Sequence, residues 1–276
     1  MPMKYFDHHV HTGHSRCVKV PYALDAAVDR ALARGFIEGF GSTNHVHFNS
    51  PDQSHLPVTR REIDEINAKR GKPFILLGAE VDVDHPSGRF TLTKQSLDIL
   101  DYVIAGPHNQ PHRSLAMDGM GKEEFDEYFE ALEAIIVNSL SKNPVDVWVH
   151  PFLQEIEISG ECFSDYLFPI LDKVLPVMKD KGIAMEISST FPRDKGDTVE
   201  IFKPGPRVDG WIQVARMTSK VYKAALDYGG ITFSFASDAH GLENVGDIGA
   251  PMAIARGLGI PGKQILHLAD FQGKRG

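Results

Sequence analysis

The sequence has too few cysteines for a protein held together by disulfides. Its 276 residues include two, Cys17 and Cys162, whereas small secreted scaffolds rely on several cysteine pairs. A reducing compartment is therefore expected. No segment has the pattern of a signal peptide, because Met1-Pro2-Met3-Lys4 leads directly into a strand-like stretch. Together these features predict a cytoplasmic protein.

Long apolar runs and an excess of positive charge are also lacking. No apolar run reaches the roughly 18 residues that would indicate a membrane-spanning helix, so no membrane association is predicted. The formal net charge is -8, which argues against a protein that binds nucleic acid by bulk attraction to phosphate. We therefore do not expect a stable complex with nucleic acid. The oligomeric state is not predicted by any of these features.

The hydrophobic pattern alternates between strands and helices along the chain. Seven short apolar runs typical of buried strands are each followed by a loop or an amphipathic segment. This order predicts a parallel sheet, and the number of units favours a closed or nearly closed α/β barrel in a single domain over residues 1–276. A hairpin is predicted within 84–100. The predicted strands are 4–11, 40–45, 74–83, 102–106, 145–151, 183–188 and 231–240, and the predicted helices are 21–34, 59–69, 122–140, 163–181, 211–228 and 248–257.

Histidine is unusually abundant, with 13 copies, and many of them lie where a predicted strand ends. In a parallel barrel these ends share one face, which is where active sites are built. Two carboxylates at such ends each interrupt an apolar run, and a buried unpaired carboxylate costs several kcal/mol unless it finds a cation. The set therefore predicts a metal site made of His9, His11, His45, Glu80, His108, His150, Asp238 and His240.

The first predicted strand carries the densest group of polar residues. Alternate residues of a strand point to the same face, so Asp7, His9 and His11 are expected to share one face. Other interpretations stay open for single residues elsewhere. His108 and His150 each adjoin a proline and could simply shape turns, and a helix cap would account for a lone histidine such as His240.

The set of motifs resembles the polymerase-and-histidinol-phosphatase (PHP) superfamily over nearly the whole chain, in the family's order. This resemblance implies a distorted (β/α)7 barrel similar to a TIM barrel, and a cluster of two to three divalent metal ions. The matching stretches are Asp7-His8-His9-Val10-His11, Thr43-Asn44-His45, Gly78-Ala79-Glu80, Gly106-Pro107-His108, Val149-His150-Pro151 and Ser237-Asp238-Ala239-His240.

The resemblance also implies which residues hold each ion. His9, His11, Glu80 and Asp238 would surround the first metal, and Glu80 would bridge it to a second metal that His108 and His150 complete. His45 and His240 would bind the third.

The remaining ligand of the third metal is usually Asp or His in the family, and here the matching residue is Cys17, with Ser15 or His14 as alternatives. A thiolate would favour Zn or Fe, while the imidazoles also suit Mn. The alternative is that Cys17 binds no metal and is a half-buried free cysteine.

The implied chemistry is hydrolysis of a phosphoester by a hydroxide that bridges the metals. Glu80, Asp238 and His240 are the expected catalytic residues. Basic side chains at the barrel rim should bind the phosphate oxygens, although any one of them could be a solvated surface charge. The phosphate-binding candidates are Arg193 and Arg207, with Lys195 and Lys203 in the same loop after the sixth predicted strand, and Arg113 after His108.

A phosphomonoesterase that acts on a small phosphorylated substrate such as histidinol phosphate is the function expected first. A phosphoesterase or exonuclease of nucleotides or oligonucleotides is the alternative within the family, and a PHP module without activity is another. Hydrolysis of a C–N bond by an amidohydrolase-type site is less consistent with the sequence. Such sites usually carry a lysine late on the fourth strand, where this chain has Gly106-Pro107-His108.

Overall fold

The structure is a computed structural model that describes residues 3–48, 52–72, 74–108, 122–159, 161, 163–189 and 210–272. All strands of its sheet run parallel. The strands are β1 (Tyr5–Val10), β2 (Ile37–Ser42), β3 (His45–Val46), β4 (Ile75–Asp82), β5 (Tyr102–Gly106), β6 (Val147–Trp148), β7 (Ala184–Ser188) and β8 (Phe233–Ala236).

The sheet closes on itself because β2 pairs with β4 as well as with β1. Around the barrel the order is β1, β2, β4, β5, β6, β7 and β8, and β8 pairs again with β1. The two-residue strand β3 continues the line of β2 along the same side of β4, where His45 lies opposite Glu80. The barrel therefore has seven strand positions, which confirms the predicted (β/α)7 fold.

Helices follow the strands and cover the outside of the barrel. In α2 the apolar residues Ile63 and Ile66 are buried. None of the described helices is long and apolar enough to cross a membrane. The predicted hairpin within 84–100 is wrong, because these residues form a turn and the short helix α3 instead. The helices are α1 (Leu24–Ala33), α2 (His55–Arg70), α3 (Lys94–Leu97), α4 (Lys122–Lys142), α5 (Leu153–Ser159), α6 (Ser164–Lys181), α7 (Gly210–Tyr228), α8 (Gly249–Leu258) and α9 (Leu268–Phe271), with 3-10 turns at Leu242–Asn244 and Gly262–Gln264.

The interior of the barrel is apolar at the end where the strands begin. Phe271 of α9 is fully buried there, with its ring centroid 5.3 Å from that of Phe6 and 4.7 Å from that of Tyr102. The ring of His8 is parallel to that of Phe271, with the two centroids 6.3 Å apart. This apolar floor leaves the opposite end, where the strands finish, as the place for polar side chains.

Strand β1 is irregular just before that polar end. Asp7 pairs with Phe40 and Val10 pairs with Ser42, so three steps on β1 lie against two on β2. An extra residue of this kind reverses the side on which later side chains point. The prediction that Asp7 shares a face with His9 and His11 is therefore wrong. The Asp7 carboxylate accepts hydrogen bonds from backbone N–H groups in the loops that follow β8, at 2.8 and 2.9 Å.

Close packing inside the barrel predicts that Gly41 tolerates no side chain. A Cβ atom at this position would lie 1.6 Å from Tyr102 Oη and 2.9 Å from the carbonyl oxygen of His8. Gly41→Ala should therefore lower the free energy of unfolding by about 1–3 kcal/mol, the usual cost of overpacking. Denaturant unfolding followed by circular dichroism measures this change.

The control is Gly257→Ala in α8, where no atom lies within 4 Å of the added Cβ. Alanine favours a helix interior by about 0.5–1 kcal/mol over glycine, so this variant should be as stable as the parent or more so. Equal stability of the two variants would contradict the packing described for Gly41.

Candidate metal centre

The predicted metal-binding residues meet at the end of the barrel where the strands finish. His9 lies on β1 and His11 lies just after this strand. The others come from β3, β4 and the loops after β5, β6 and β8. Cys17, which lies in the loop after β1, is also close to these residues. The structure thus brings together His9, His11, Cys17, His45, Glu80, His108, His150, Asp238 and His240.

Glu80 lies at the centre of this cluster and is almost fully buried. Its two carboxylate oxygens face different groups of imidazoles. Oε2 lies 3.0–3.3 Å from one nitrogen each of His9, His11 and His45, and Oε1 lies 2.8 Å from His108 Nε2 and 3.2 Å from His150 Nε2. One carboxylate therefore joins two groups of potential ligands, as a bridging ligand must.

The first group consists of His9, His11 and Asp238. The two Nε2 atoms are 3.1 Å apart, and Asp238 Oδ1 lies 3.2 Å from the Nε2 of His11 and 3.6 Å from that of His9. Ligand atoms about 2.0–2.1 Å from one zinc ion are separated by roughly this distance. The three side chains can therefore bind one ion together with Glu80.

The second group lies on the other side of Glu80. His108 Nε2 and His150 Nε2 are 3.1 Å apart and both approach Glu80 Oε1. His45, Glu80 and His108 also have ligand atoms close enough to share an ion. These residues therefore form a second potential ion position next to the first.

The third group contains the cysteine. Ligand atoms of His11, Cys17, His45 and His240 all lie within 4.8 Å of one another. Cys17 Sγ is 2.9 Å from Ser15 Oγ, whereas His14 Nε2 pairs with Glu62 at 2.8 Å on the surface. As the remaining ligand of the third group, Cys17 therefore fits the geometry better than His14 does.

Hydrogen bonding alone does not account for this arrangement. Glu80 Oε2 is buried and accepts no hydrogen bond from the residues that the structure describes, although three imidazole nitrogens surround it. Two pairs of Nε2 atoms also face each other at 3.1 Å, and two protonated nitrogens would repel at that distance. Cations between these atoms would satisfy the carboxylate and the imidazole lone pairs together, so the residues fit a metal cluster.

The pKa values show how strongly the cluster attracts positive charge. Burial raises the pKa of Glu80, but the surrounding imidazoles, His45 foremost, hold that pKa well below its usual range. Burial lowers the pKa of His9, and here the carboxylates of Glu80 and Glu186 outweigh it and raise that pKa well above the usual value. Glu80 is therefore ionised, and positive charge is drawn to its neighbours as protons or as metal ions.

Two other ligand candidates are held neutral by burial. Burial lowers the pKa of His11 to about 3, so its imidazole offers a lone pair at any physiological pH. Burial also raises the pKa of the Cys17 thiol to about 11, and the negative charges of Glu80 and Asp238 add to this effect. Cys17 would therefore bind as a thiolate only with loss of a proton to solvent, which couples metal affinity at this position to pH.

Backbone strain is concentrated at the same place. Among the described residues other than glycine, positive φ angles occur at His150 (28°), Phe152 (58°) and Asp238 (48°). Such conformations cost on the order of 1–3 kcal/mol each and cluster at functional sites. The fold therefore accepts strain at two of the potential ligands to aim them into the cluster.

Sequence reasoning missed two buried carboxylates beside the cluster, Asp82 and Glu186. Asp82 lies 3.2 Å from His108 Nδ1 and 3.0 Å from His47 Nδ1, and Glu186 lies 2.9 Å from His9 Nδ1. Both residues show the signal that identified Glu80, because each is an acid within an apolar strand. Asp82 and Glu80 are two residues apart on β4, so their side chains lie on the same face of the strand.

The phosphate-binding candidates Arg113, Arg193 and Arg207 lie outside the described residues, as do Lys195 and Lys203. A cavity of about 80 Å³ opens beside His45. Arg16, which sequence reasoning did not single out, contributes an exposed guanidinium to its wall.

Comparisons with known proteins agree with the barrel. No protein-family model and no curated protein matches the chain in sequence. Among solved structures, the histidinol phosphate phosphatase from Lactococcus lactis, in complex with zinc, L-histidinol and phosphate, matches with a TM-score of 0.64 and 17% identity over 94% of this chain and 95% of that one. A candidate histidinol phosphatase from Listeria monocytogenes matches with a TM-score of 0.57 and 15% identity over 90% of this chain and 99% of that one. The chain is therefore similar in fold to these two proteins along nearly its whole length.

Proposed function

We propose that this chain is a metal-dependent phosphomonoesterase of the PHP superfamily. The observation that carries the proposal is Glu80, a buried carboxylate whose two oxygens are each approached by imidazoles of a different group. A single carboxylate between two such groups is suited to hold two cations close together. The similarity of fold to a zinc-containing phosphatase supports the same interpretation.

The contacts suggest a distribution of two to three ions among the ligands. The first ion would be held by His9, His11, Glu80 and Asp238, and the second by Glu80, His108 and His150. His45, Cys17 and His240 would hold the third, with His11 close enough to contribute. The nitrogen-rich set suits Zn, Mn or Fe, and the thiol shifts the preference of the third position towards Zn or Fe.

When bound, such ions activate water as a nucleophile at neutral pH and neutralise charge on a phosphate group. The side chains prepare the site for this role. Asp238 is held ionised because nearby imidazoles, His9 foremost, outweigh the effect of burial on its pKa. His240 Nδ1 donates to the carbonyl oxygen of Asp238 at 3.0 Å, so His240 Nε2 keeps its lone pair. With 37% of its side chain exposed, His240 is also within reach of a substrate.

A small phosphorylated substrate is the proposed class, with a histidinol-phosphate-like monoester first. The Lactococcus lactis protein contains L-histidinol and phosphate, and the two chains cover each other almost completely. A module without activity is less consistent with the site, since every ligand expected from the sequence reaches the cluster. The roles of Arg113, Arg193 and Arg207 in phosphate binding stay predictions.

Replacing Glu80 by glutamine tests the centre of the cluster. Glu80→Gln keeps the size of the side chain but removes the charge that lets two cations approach each other. Phosphate release should fall by roughly 10²–10³-fold or more, as expected when one preorganised electrostatic group is lost, and the metal content should fall with it. The control is Glu133→Gln, a surface change at the ion pair with Lys173. Normal turnover and full metal content in Glu80→Gln would show that the cluster is assigned wrongly.

The cysteine provides a test of the third position alone. Cys17→Ser replaces an ionisable thiol by a hydroxyl that stays protonated, so occupancy of one ion should fall while the other ions are retained. Metal analysis of the purified protein measures the stoichiometry. The matched control is the chain's other cysteine, with Cys162→Ser. If both variants bind as much metal as the parent, Cys17 is a half-buried free thiol.

The substrate class is tested by steady-state kinetics on the metal-loaded protein. Histidinol phosphate, an aryl phosphate, nucleoside monophosphates and short oligonucleotides are compared by their kcat/KM values. We expect phosphomonoesters to be hydrolysed best, with histidinol phosphate first among them. A preference for the oligonucleotide would replace the monoesterase by a nuclease with the same cluster. No phosphate release from any substrate by a fully loaded protein would indicate the inactive module.

A further inference from the structure

We infer that Glu186 and Asp82 are positioning residues that hold the metal-facing imidazoles from behind. The inference rests on the proposed function, because it assigns these two carboxylates a role towards the same ions. Both side chains are fully buried in the barrel. Each contacts the ring nitrogen of a potential ligand that points away from the cluster.

Glu186 lies on β7 below the first group. Its Oε2 atom is 2.9 Å from His9 Nδ1 and 3.0 Å from His8 Nε2, and its Oε1 atom accepts a hydrogen bond from the backbone N–H of His150 at 3.2 Å. The other nitrogen of His8 donates to the carbonyl oxygen of Phe235 at 2.7 Å. Glu186 is thus held by the backbone N–H of His150 and by contacts with the imidazoles of His8 and His9.

The contact with Glu186 determines which nitrogen of His9 carries the proton. A carboxylate accepts hydrogen bonds, so His9 Nδ1 must be protonated. In the neutral ring, which is the form that binds metal, the lone pair is then on His9 Nε2, and this atom faces His11 Nε2 at 3.1 Å and Glu80 Oε2 at 3.2 Å. Glu186 therefore selects the tautomer of His9 that can bind an ion, and it makes that imidazole a stronger donor to metal.

Asp82 lies on the opposite side of the cluster and approaches a potential ligand at ion-pair distance. Its Oδ1 atom lies 3.2 Å from His108 Nδ1, and the Nε2 atom of the same ring lies 2.8 Å from Glu80 Oε1. The Oδ1 atom is also 3.6 Å from His45 Nδ1, and the Oδ2 atom accepts from His47 Nδ1 at 3.0 Å. Glu186 therefore supports a ligand of the first ion and Asp82 a ligand of the second, whereas His45 presents to Asp82 the same Nδ1 atom that lies 3.0 Å from Glu80 Oε2.

A purely structural role of the two carboxylates can be distinguished from a positioning role by experiment. If they only satisfy buried histidines, their loss should lower the stability of the metal-free fold without a specific change in metal affinity. If they position ligands, metal affinity should fall by about 10–100-fold, the usual effect of removing such a partner. The ligands themselves stay in place, so saturating metal should still fill every position.

The experiment measures Zn²⁺ affinity of the full chain by chelator competition, starting from metal-free protein. Glu186→Gln and Asp82→Asn are compared with the parent and with Glu155→Gln. Glu155 is a matched control because it is equally buried, at 2% exposure, and accepts a hydrogen bond from Tyr128 Oη at 2.5 Å. Thermal unfolding of each metal-free protein separates an effect on the fold from an effect on the ions.

We expect Glu186→Gln and Asp82→Asn to bind Zn²⁺ about 10–100-fold more weakly, with unchanged stoichiometry at saturation and with activity restored by excess Zn²⁺. Glu155→Gln should bind Zn²⁺ as the parent does. Glu186→Asp keeps the charge on a shorter side chain and is measured in the same way if Glu186→Gln does not fold.

Several outcomes would overturn the inference. Parental affinity in both variants, or an equal loss in Glu155→Gln, would leave only a structural role. Loss of a whole equivalent of Zn²⁺ at saturation in Asp82→Asn would make Asp82 a direct ligand. If the parent binds Zn²⁺ and releases phosphate while the variants match it, only this inference fails. If the parent binds no metal, the proposed function fails with it.

Discussion

The accumulation of negative charge in a buried space is the constraint on which the rest of the site depends. Four carboxylates, those of Glu80, Asp82, Glu186 and Asp238, lie buried around the polar end of the barrel. Buried carboxylates cost several kcal/mol each unless they are paired. The imidazoles supply part of the compensating positive charge, as the depressed pKa values of Glu80 and Asp238 show. Metal ions would supply more charge in less space than protonated rings, so the number of acids is itself an argument for a multinuclear centre.

The barrel separates this charge from its apolar floor within a few residues of β1. Phe6 packs against Phe271 at the floor, while His9 already faces the carboxylates. His8 lies between the two regions, because its ring stacks near Phe271 and its Nε2 atom contacts Glu186. The irregular pairing of β1 allows this, since His8 and His9 both reach Glu186 although they are consecutive. In a regular strand they would point in opposite directions.

Much of the architecture could be predicted from the sequence, because its signals are local. Apolar runs marked the strands, and the rule that parallel strands end on one face brought His9, Glu80 and Asp238 together correctly. The features that were missed depend on pairing in three dimensions. The irregularity of β1 moved Asp7 off the expected face, since strict alternation holds only in regular strands. Glu186 lies two residues before the end of β7, as Glu80 does on β4, but its role depends on the contact with His9 Nδ1, which the sequence alone does not show.

The position of Glu186 has a further consequence for how the groups of ligands are related. One of its oxygens contacts the ring of His9, and the other accepts the backbone N–H of His150, whose φ angle is positive at 28°. A hydrogen bond to a charged acceptor contributes about 1.5–3 kcal/mol, which is enough to offset strain of this kind. The same carboxylate therefore orients a side chain of the first group and the backbone of the second. Glu80 thus joins the two groups from the front, and Glu186 joins them from behind.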